Sequence, residues 1–246
     1  MLARHKLPIM WIKRDISNIL EESADYIQIV IGPRQCGKSS LLSHLGPQYF
    51  EISLDELHAR HLANTDPELL FSSAKEQPIL VDEAQLAPEL FFYLKRQIDL
   101  YKRKGGKRKI LYRLTGSNQI LMDKNVKESL AGRASYFEMT TLSVSEISQS
   151  TKVSISEIMF KGGWPELYVD TKLNSNNYLD DYINSYVEKD VIASAGIQKS
   201  REFLLFCKLL AARAGCMLNA SEIGSEIGVE QSTIKDWISV LEKMKI

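Results

Sequence analysis

The sequence is short of several features that mark common classes of protein. No run of about 18 apolar residues, the length that spans a bilayer, occurs in its 246 residues, and the N-terminus has no apolar signal-peptide core. Lysine plus arginine equals aspartate plus glutamate, 31 of each, so the net charge does not indicate nucleic acid or a membrane. We therefore expect a soluble cytoplasmic protein with no membrane partner.

Cysteine and histidine are too few and too scattered to indicate a zinc centre. The three cysteines, Cys36, Cys207 and Cys216, share no metal-ligand spacing, and their odd number suits reduced thiols. His58 and His61 could lie on one side of a helix, where a solvated helix face is the alternative to a metal site.

Residues 26–45 hold the most informative pattern, an apolar strand followed by a G-x-x-x-x-G-K-S turn and the start of a helix. Two glycines let the backbone wrap around a phosphate, a lysine supplies positive charge to the outer phosphates, and the serine hydroxyl can ligate Mg²⁺. The helix adds its positive dipole end. The pattern predicts binding of ATP with Mg²⁺, the alternative being a glycine turn with a solvated lysine. The expected nucleotide-binding residues are Gly32, Pro33, Arg34, Gln35, Cys36, Gly37, Lys38, Ser39 and Ser40.

A second acidic pattern follows about fifty residues later, where the apolar segment 79–81 ends in Asp82 and Glu83. An acid at the tip of a buried strand can hold Mg²⁺ or its shell water opposite Ser39, which makes Ser39 and Asp82 the expected metal ligands. Glu83 is then placed to orient and polarise the attacking water. This second acid separates the chain from GTPases and nucleotide kinases, and it predicts ATP hydrolysis with Glu83 and Lys38 as catalytic residues.

Two further positions are weaker catalytic candidates. Ser117 and Asn118 end the predicted strand 109–116, where either could report the γ-phosphate through a hydrogen bond; an ordinary polar turn is the alternative. Arg133 lies on a glycine-bounded corner, from which an arginine can neutralise charge on a γ-phosphate, often that of a neighbouring subunit. Helix capping, or pairing with a surface acid, is the alternative for Arg133.

Up to about residue 140, predicted strands alternate with predicted helices, the pattern of a parallel sheet covered by helices. The predicted strands are 26–32, 49–54, 78–84, 109–116 and 135–140. The predicted helices are 11–22, 38–45, 66–75, 88–103 and 124–131, and the pattern from about 143 to 212 is helical, including 175–194 and 201–213. We therefore expect an α/β fold followed by a helical part.

Two segments are candidates for DNA contact. The run 101–109 places six basic residues around two glycines, and as a flexible loop it could grip a phosphate backbone; a solvated, inert loop is the alternative. Residues 219–246 read as a helix-turn-helix joined at 228–230. Its buried stripe is expected to contain Ile223, Ile227, Ile234, Trp237, Ile238 and Leu241. The candidate recognition face, 231–236, mixes Lys235 with Asp236, so a lid or a protein contact is the alternative.

The ordered set of motifs resembles a known family. The motifs are GPRQCGKSS, FEISLDE at 50–56, ILVDEAQ, LTGSNQ, SLAGRA, TLSVSEI at 141–147, GGWPE at 162–166 and YVEKDV at 186–191. Together they resemble the bacterial and archaeal AAA+-type P-loop ATPases that carry a C-terminal domain of unknown function. The resemblance implies a five-stranded parallel sheet of order 5-1-4-3-2, a helical lid and a winged-helix-like segment. It also favours Arg133 as a finger reaching a second copy of the chain, and Ser117, then Asn118, as the sensor.

The resemblance divides the chain into an ATPase core at 1–142, a lid at 143–198 and a winged-helix-like segment at 199–246. Two departures concern the phosphate loop: Cys36 stands where the family often has a small aliphatic residue, and Ser39-Ser40 where it often has threonines. We also expect a reactive thiolate at Cys36, since Lys38 and the loop N–H dipoles lie nearby. Family members often continue further, so we expect this chain to be truncated or unusually short.

Two functions fit these predictions. In the first, the protein is a Mg²⁺-dependent ATPase whose nucleotide cycle moves the lid and controls a partner or DNA. In the second, it is chiefly a nucleotide-dependent DNA-binding switch with slow turnover.

Overall fold

A computed structural model of the chain describes residues 11–23, 25–46, 48–74, 77–116 and 130–244. The chain forms two compact units, Met1–Thr171 and Lys172–Ile246. The first unit holds the sheet and the phosphate loop, and the second is helical.

A five-stranded parallel sheet forms the centre of the first unit. Its strands are β1 (Ile27–Ile31), β2 (Phe50–Ser53), β3 (Ile79–Asp82), β4 (Tyr112–Gly116) and β5 (Ala134–Glu138). They lie in the order β2-β3-β4-β1-β5, with every pair parallel. This is the predicted order 5-1-4-3-2 read from the other edge, so the predicted sheet is confirmed. Four of the strands lie within their predicted segments, and β5 begins one residue before its own.

Eight α-helices belong to the described part of the first unit, and the first five of them pack on the two faces of the sheet. In chain order they are α1 (Ile16–Glu22), α2 (Lys38–Leu45), α3 (Leu57–Thr65), α4 (Pro67–Phe71) and α5 (Pro88–Arg103), then α6 (Val144–Ser150), α7 (Ile155–Lys161) and α8 (Glu166–Val169). The predicted helix 11–22 begins only at Ile16, and most of the predicted helix 124–131 lies outside the described residues. Helix α3 was not predicted from the sequence. It buries only the two small side chains of Ala59 and Ala63, which give a weak apolar stripe.

Two apolar clusters fill the space between the sheet and its helices. Along β1, Ile29 contributes to one cluster and Val30 to the other, because successive side chains of a strand point to opposite faces. All five residues of β1 are buried, as expected for a central strand covered on both sides. The central strand therefore fixes the position of the loop that follows it.

The second unit consists of helices. They are α9 (Ser175–Tyr182), a π-helical stretch (Ile183–Val191), α10 (Ile192–Ala195), α11 (Ser200–Ala212), α12 (Ala220–Ile227) and α13 (Gln231–Met244). Trp237 packs on Phe203 and Phe206, with ring centroids 5.3 and 5.4 Å away. The predicted turn between the last two helices is present, and Gly228 adopts the left-handed conformation there, at a φ of 81°.

No helix in the described part of the chain is long and apolar enough to cross a membrane.

Candidate functional site

The phosphate loop lies where β1 ends and α2 begins. Its backbone needs unusual conformations, since Gln35 and Gly37 have positive φ values of 59° and 95°. Gly32 is required for a different reason: a Cβ added there would lie 1.9 Å from the carbonyl oxygen of Met139. The loop therefore follows the predicted glycine pattern, but the first glycine makes room for the segment after β5 as well as for a phosphate.

Lys38 lies inside the curve of this loop. Its side chain is 5% exposed, and its ammonium group donates to the carbonyl oxygens of Gly32 at 3.1 Å and Pro33 at 2.7 Å. Among the described residues no carboxylate pairs with Lys38, so the loop carbonyls orient its charge without neutralising it. This is the arrangement expected of a cation that meets a phosphate.

Ser39 and Asp82, the two predicted metal ligands, lie together. The Ser39 hydroxyl donates to Oδ1 of Asp82 at 2.6 Å, and the Thr115 hydroxyl donates to the same oxygen. A hydroxyl beside a carboxylate fits Mg²⁺, which prefers oxygen ligands and usually keeps several waters or substrate phosphates in its shell. In the described part of the chain no cluster of three or more His, Cys, Asp or Glu side chains could hold a metal ion. The oxygens of Ser39 and Asp82 therefore fit a magnesium site completed by waters or substrate phosphates better than a site built only from protein side chains.

Glu83 occupies a strained turn directly after β3. Its backbone is left-handed, with φ 56° and ψ 45°, a conformation that costs a non-glycine residue about 1 kcal/mol or more. The Glu83 N–H donates to the Thr115 hydroxyl at 3.1 Å, and the side-chain amide of Gln85 donates to the Glu83 carboxylate. Strain at a residue held from two sides is typical of a functional position.

A third carboxylate at this edge, Asp55, follows β2 and was not predicted. Burial raises the pKa of Asp55, the charges of Glu83 and Asp82 raise it further, and those of Arg34 and Arg60 oppose the shift. Its position in the FEISLDE motif was the available sequence signal. Thr115 and Gln85 were also missed, because a single threonine or glutamine beside a motif has no distinctive spacing.

Arg14 connects the phosphate loop to two other segments, and no sequence pattern singled it out. It is 5% exposed, donating from Nη1 to the Cys36 carbonyl at 2.7 Å and from Nη2 to the Thr140 carbonyl at 2.7 Å. Its Nε pairs with Glu146 at 3.0 Å. Burial opposes the charge of Glu146, but hydrogen bonds from the N–H groups of Ser143 and Asp15 and from Arg14 hold its pKa below the ordinary value. Arg14 thus holds the phosphate loop in position through the Cys36 carbonyl.

The expected thiolate at Cys36 is wrong. The Cys36 side chain is fully buried, and its Sγ lies 3.8 Å from the carbonyl oxygen of Met139. Burial raises the pKa of this thiol, although the charges of Lys38 and Arg14 oppose the shift. The side chain points from the loop into the apolar cluster of α2 and β5, so it cannot benefit from the loop dipoles as a surface thiol would.

A cavity of about 460 Å³ opens beside the phosphate loop within the first unit. Its polar end is formed by loop residues 35–40 and Glu83. Its apolar wall consists of Trp11, Ile12, Leu142, Pro165 and Val169, and two acids, Glu166 and Asp170, lie on α8 and directly after it. The volume is within the range of small-molecule sites, and the division into polar and apolar ends fits a nucleotide.

The remaining predicted residues are less closely associated with this cavity. Ser117 and Asn118 lie outside the described residues. Arg133 forms a bidentate ion pair with Asp99, at 2.8 and 2.9 Å, which was the alternative interpretation from the sequence. Its carbonyl accepts from the N–H of Ile27, at the start of β1, whereas the phosphate loop follows the end of that strand. The two ends of β1 are about 13 Å apart, so Arg133 lies at the end of the sheet where the strands begin, opposite its own phosphate loop.

Comparisons with known proteins agree with this geometry. Residues 24–148 match the family model of an AAA domain, and residues 152–246 match a domain of unknown function, DUF8612. The chain is 25% identical over 236 residues to the uncharacterized proteins Rv2008c of Mycobacterium tuberculosis and Mb2031c of Mycobacterium bovis. These alignments cover 93% of this chain and 51% of each relative, so the chain spans about half the length of those proteins.

A solved structure shares the fold. It is that of the Walker-type ATPase PABY2304 of Pyrococcus abyssi, with a TM-score of 0.56 and 17% sequence identity. The superposition covers 95% of this chain and 90% of the other. At this identity the likeness concerns the arrangement of strands and helices.

Proposed function

The chain belongs to the AAA domain family, and on that basis we propose that it binds ATP with Mg²⁺ and hydrolyses it to ADP and phosphate. The observation that carries the proposal is the 2.6 Å hydrogen bond between Ser39 and Asp82, beside Lys38 and next to Glu83. A phosphate cradle, a pair of magnesium ligands and a second acid are the parts that phosphoryl transfer to water requires.

Each residue has a separate role in this proposal. Lys38 neutralises the outer phosphates, and Ser39 and Asp82 would hold Mg²⁺, which when bound offsets charge on the phosphate oxygens. Glu83 orients the water and accepts its proton as the water oxygen bonds to the γ-phosphorus. The bond from that phosphorus to the β–γ bridging oxygen breaks, and ADP leaves with the electron pair. Thr115 positions Asp82 and Glu83 together.

The cavity supports a fixed orientation of the nucleotide. Phosphates belong at the Lys38 end, because the carboxylates of Glu166 and Asp170 would repel them at the other. The base then lies against the apolar wall, which includes Pro165 and Val169 beside α8. We propose that hydrolysis changes the contacts of this helical segment, so that residues 143–198 act as the lid and 199–246 as a winged-helix-like segment that controls a partner or DNA.

The slow switch is a second candidate function. The hydrogen bond from Gln85 to the Glu83 carboxylate favours it, because a catalytic base held by a neighbouring amide must be released before it takes a proton. In that case nucleotide binding rather than rapid turnover would be the signal, and DNA would be contacted through 101–109 or the α12–α13 pair.

Paired variants test the main proposal. Lys38→Ala should lose ATP binding, whereas Glu83→Gln should bind ATP normally and lose turnover, because an amide cannot accept the proton. Lys152→Ala and Glu89→Gln, both exposed and outside the cavity, are the matched controls. Binding is measured by calorimetry and turnover by phosphate release. Equal loss of affinity in Lys38→Ala and Glu83→Gln would contradict their separate roles, and wild-type protein that binds no ATP would end the proposal.

Arg133 is proposed to act on a second copy of the chain. Because it lies at the edge opposite its own phosphate loop, it can complete only a neighbour's site, after exchanging Asp99 for a phosphate. Arg133→Ala should bind ATP normally but turn over slower by a factor of about 10³. Mixing Arg133→Ala with Glu83→Gln should restore some turnover, since one subunit lends its arginine to the other's intact acid. Turnover that is independent of protein concentration, with no rescue on mixing, would rule out this role.

A further inference from the structure

A strongly basic surface lies at the end of the sheet where the strands begin, which is the end opposite the phosphate loop. It comprises the second half of α5 and the loop leading to β4, residues 95–109, and is called the basic edge below. Its exposed cations are Lys95, Arg96, Arg103, Lys104, Lys107, Arg108 and Lys109. The acids that touch it are already paired, Asp99 with Arg133 and Asp25 with Arg108. Arg108 is therefore partly neutralised by Asp25, whereas Asp99 pairs with Arg133, which lies outside residues 95–109.

Contacts with Tyr101 connect the loop of the basic edge to α5. The Tyr101 hydroxyl donates to the Lys107 carbonyl at 3.1 Å, and Gly106 packs so closely on the Tyr101 ring that an added Cβ would lie 2.3 Å from it. The Gly106 N–H also donates to the Tyr101 carbonyl at 3.0 Å. A loop backbone that is already ordered loses less conformational entropy when a ligand binds.

Two depressions give the basic edge a defined shape. One, of about 490 Å³, is lined by Lys104 and Lys109, by the tyrosines Tyr101 and Tyr112, and by the amide side chains of Gln77 and Gln97. The other, of about 320 Å³, lies along α5 and is lined by Phe92, Lys95, Arg96 and Arg103, together with Asp99, which pairs with Arg133. Leu100 lines both, so the two depressions adjoin. The two depressions are therefore neighbours, and both are bordered by cations.

We infer that the basic edge binds single-stranded nucleic acid, with phosphates along the cations of α5 and its loop and a base in the tyrosine-lined depression. This binding deepens the second candidate function, in which DNA is contacted through 101–109, and it is separate from the proposed ATPase site, because this edge lies about 13 Å along β1 from the phosphate loop. Lysine and arginine side chains track a phosphate backbone, and aromatic rings accept any base by stacking.

The shape of the depression favours a single strand over a duplex. A depression flanked by two tyrosines and two side-chain amides offers a stacking surface and hydrogen-bond partners for the edge of a base. A base in a duplex is already stacked and paired, and extruding it costs a few kcal/mol. A duplex would therefore use only the cations of the basic edge, whereas a single strand can use the depression as well.

Fluorescence anisotropy with the full chain and a labelled oligothymidylate of about 20 nucleotides tests the inference. Lys104→Ala/Lys109→Ala removes two phosphate contacts, which should make the slope of log K against log salt shallower by about 1.4 and lower the affinity at 0.1 M salt about 25-fold. Lys13→Ala/Lys152→Ala removes the same charge from exposed positions outside the basic edge that line neither depression, and it should change the affinity much less.

Two further measurements distinguish base stacking from phosphate contacts, and the basic edge from the phosphate loop. An abasic strand of equal length keeps the phosphates and should bind about tenfold more weakly or worse, since base stacking is lost. Lys38→Ala should bind oligothymidylate as the wild type does, even if it binds no ATP, so failure of the proposed ATPase leaves this result unaffected.

Several outcomes would overturn the inference. One is a duplex, or an abasic strand, that binds as tightly as oligothymidylate. Another is oligothymidylate displaced by ATP or lost in Lys38→Ala, which would mean that the strand occupied the phosphate loop. A third is no binding at all, together with a change of molecular mass in Lys104→Ala/Lys109→Ala, which would make the basic edge an interface between copies of the chain.

Discussion

Replacing either partner of the buried Arg14–Glu146 ion pair should destabilise the first unit strongly. Both side chains are 5% exposed, and removing one partner of such a pair typically costs about 3–5 kcal/mol. In Glu146→Gln, Arg14 keeps the carbonyls of Cys36 and Thr140, so we expect the lower end of that range, about 3 kcal/mol. The double variant Arg14→Met/Glu146→Leu should lose less than the sum of the two single variants, since no charge remains buried.

The same pair should affect nucleotide binding through its contact with the phosphate loop. Arg14→Met loses the 2.7 Å hydrogen bond to the Cys36 carbonyl, so the loop is less well fixed. A loss of about 1.4 kcal/mol corresponds to a tenfold rise in the Kd for ATP. Arg14→Lys keeps the charge but not the planar fork, and should recover only part of the affinity. Glu146→Gln should change the Kd less, because Arg14 still reaches the loop.

The effect of Glu146 should depend on pH. Its pKa in the folded protein lies below the ordinary value of 4.5, so its contribution is fully present above the unfolded value and is lost as the pH falls through the folded value. Urea denaturation of wild type and Glu146→Gln should therefore differ by a constant amount near neutral pH, and the difference should shrink below pH 4.5.

A matched control separates this buried pair from surface charge. Glu157→Gln breaks the partly exposed pair with Lys161 and should cost at most about 0.5 kcal/mol. If Glu146→Gln unfolds at the same urea concentration as Glu157→Gln, or if its deficit persists unchanged at acid pH, the buried pair does not stabilise the unit as argued.

Two other predictions follow from the burial of loop residues. In the native protein a maleimide should label Cys216, which is exposed, while Cys36 reacts only on unfolding; peptide mapping by mass spectrometry that finds rapid, ATP-sensitive labelling of Cys36 would contradict this. Gly32→Ala should lower the melting temperature and abolish ATP binding, because its Cβ would meet the Met139 carbonyl at 1.9 Å, whereas Gly105→Ala should cost only about 1 kcal/mol. Equal melting temperatures for the two variants would mean that the segment after β5 moves aside.

The sheet was predictable because its strands carry strong local signals. Residues 26–32 and 78–84 are apolar runs that end in glycine or acid, and parallel strands alternating with helices allow few topologies. Their order came from the resemblance rather than from periodicity. Helix α3 was missed because Ala59 and Ala63 give only a weak apolar stripe, and helix packing rather than local pattern decides such segments.

The site was predictable where one motif supplies all the atoms, and much less so where distant segments converge. Ser39 and Asp82 lie close together, as predicted, because Asp82 is the last residue of β3 and Ser39 belongs to the loop and helix that follow β1 in the same parallel sheet. Arg14 is separated from Glu146 by 131 intervening residues, and nothing in either local pattern indicates the contact. Cys36 was misjudged because the sequence places it in the loop but does not give the direction of its side chain.

The two edges of the sheet have different chemistry, and β4 connects them. Its first residue, Tyr112, lines the depression of the basic edge, and Thr115, near its last, touches Asp82 and the N–H of Glu83. Because β4 pairs with β1 along its whole length and with β3 at residues 112–114, a ligand that moves Tyr112 sideways would strain both ladders. A displacement of β4 along its own axis would instead carry the Thr115 hydroxyl away from the two acids.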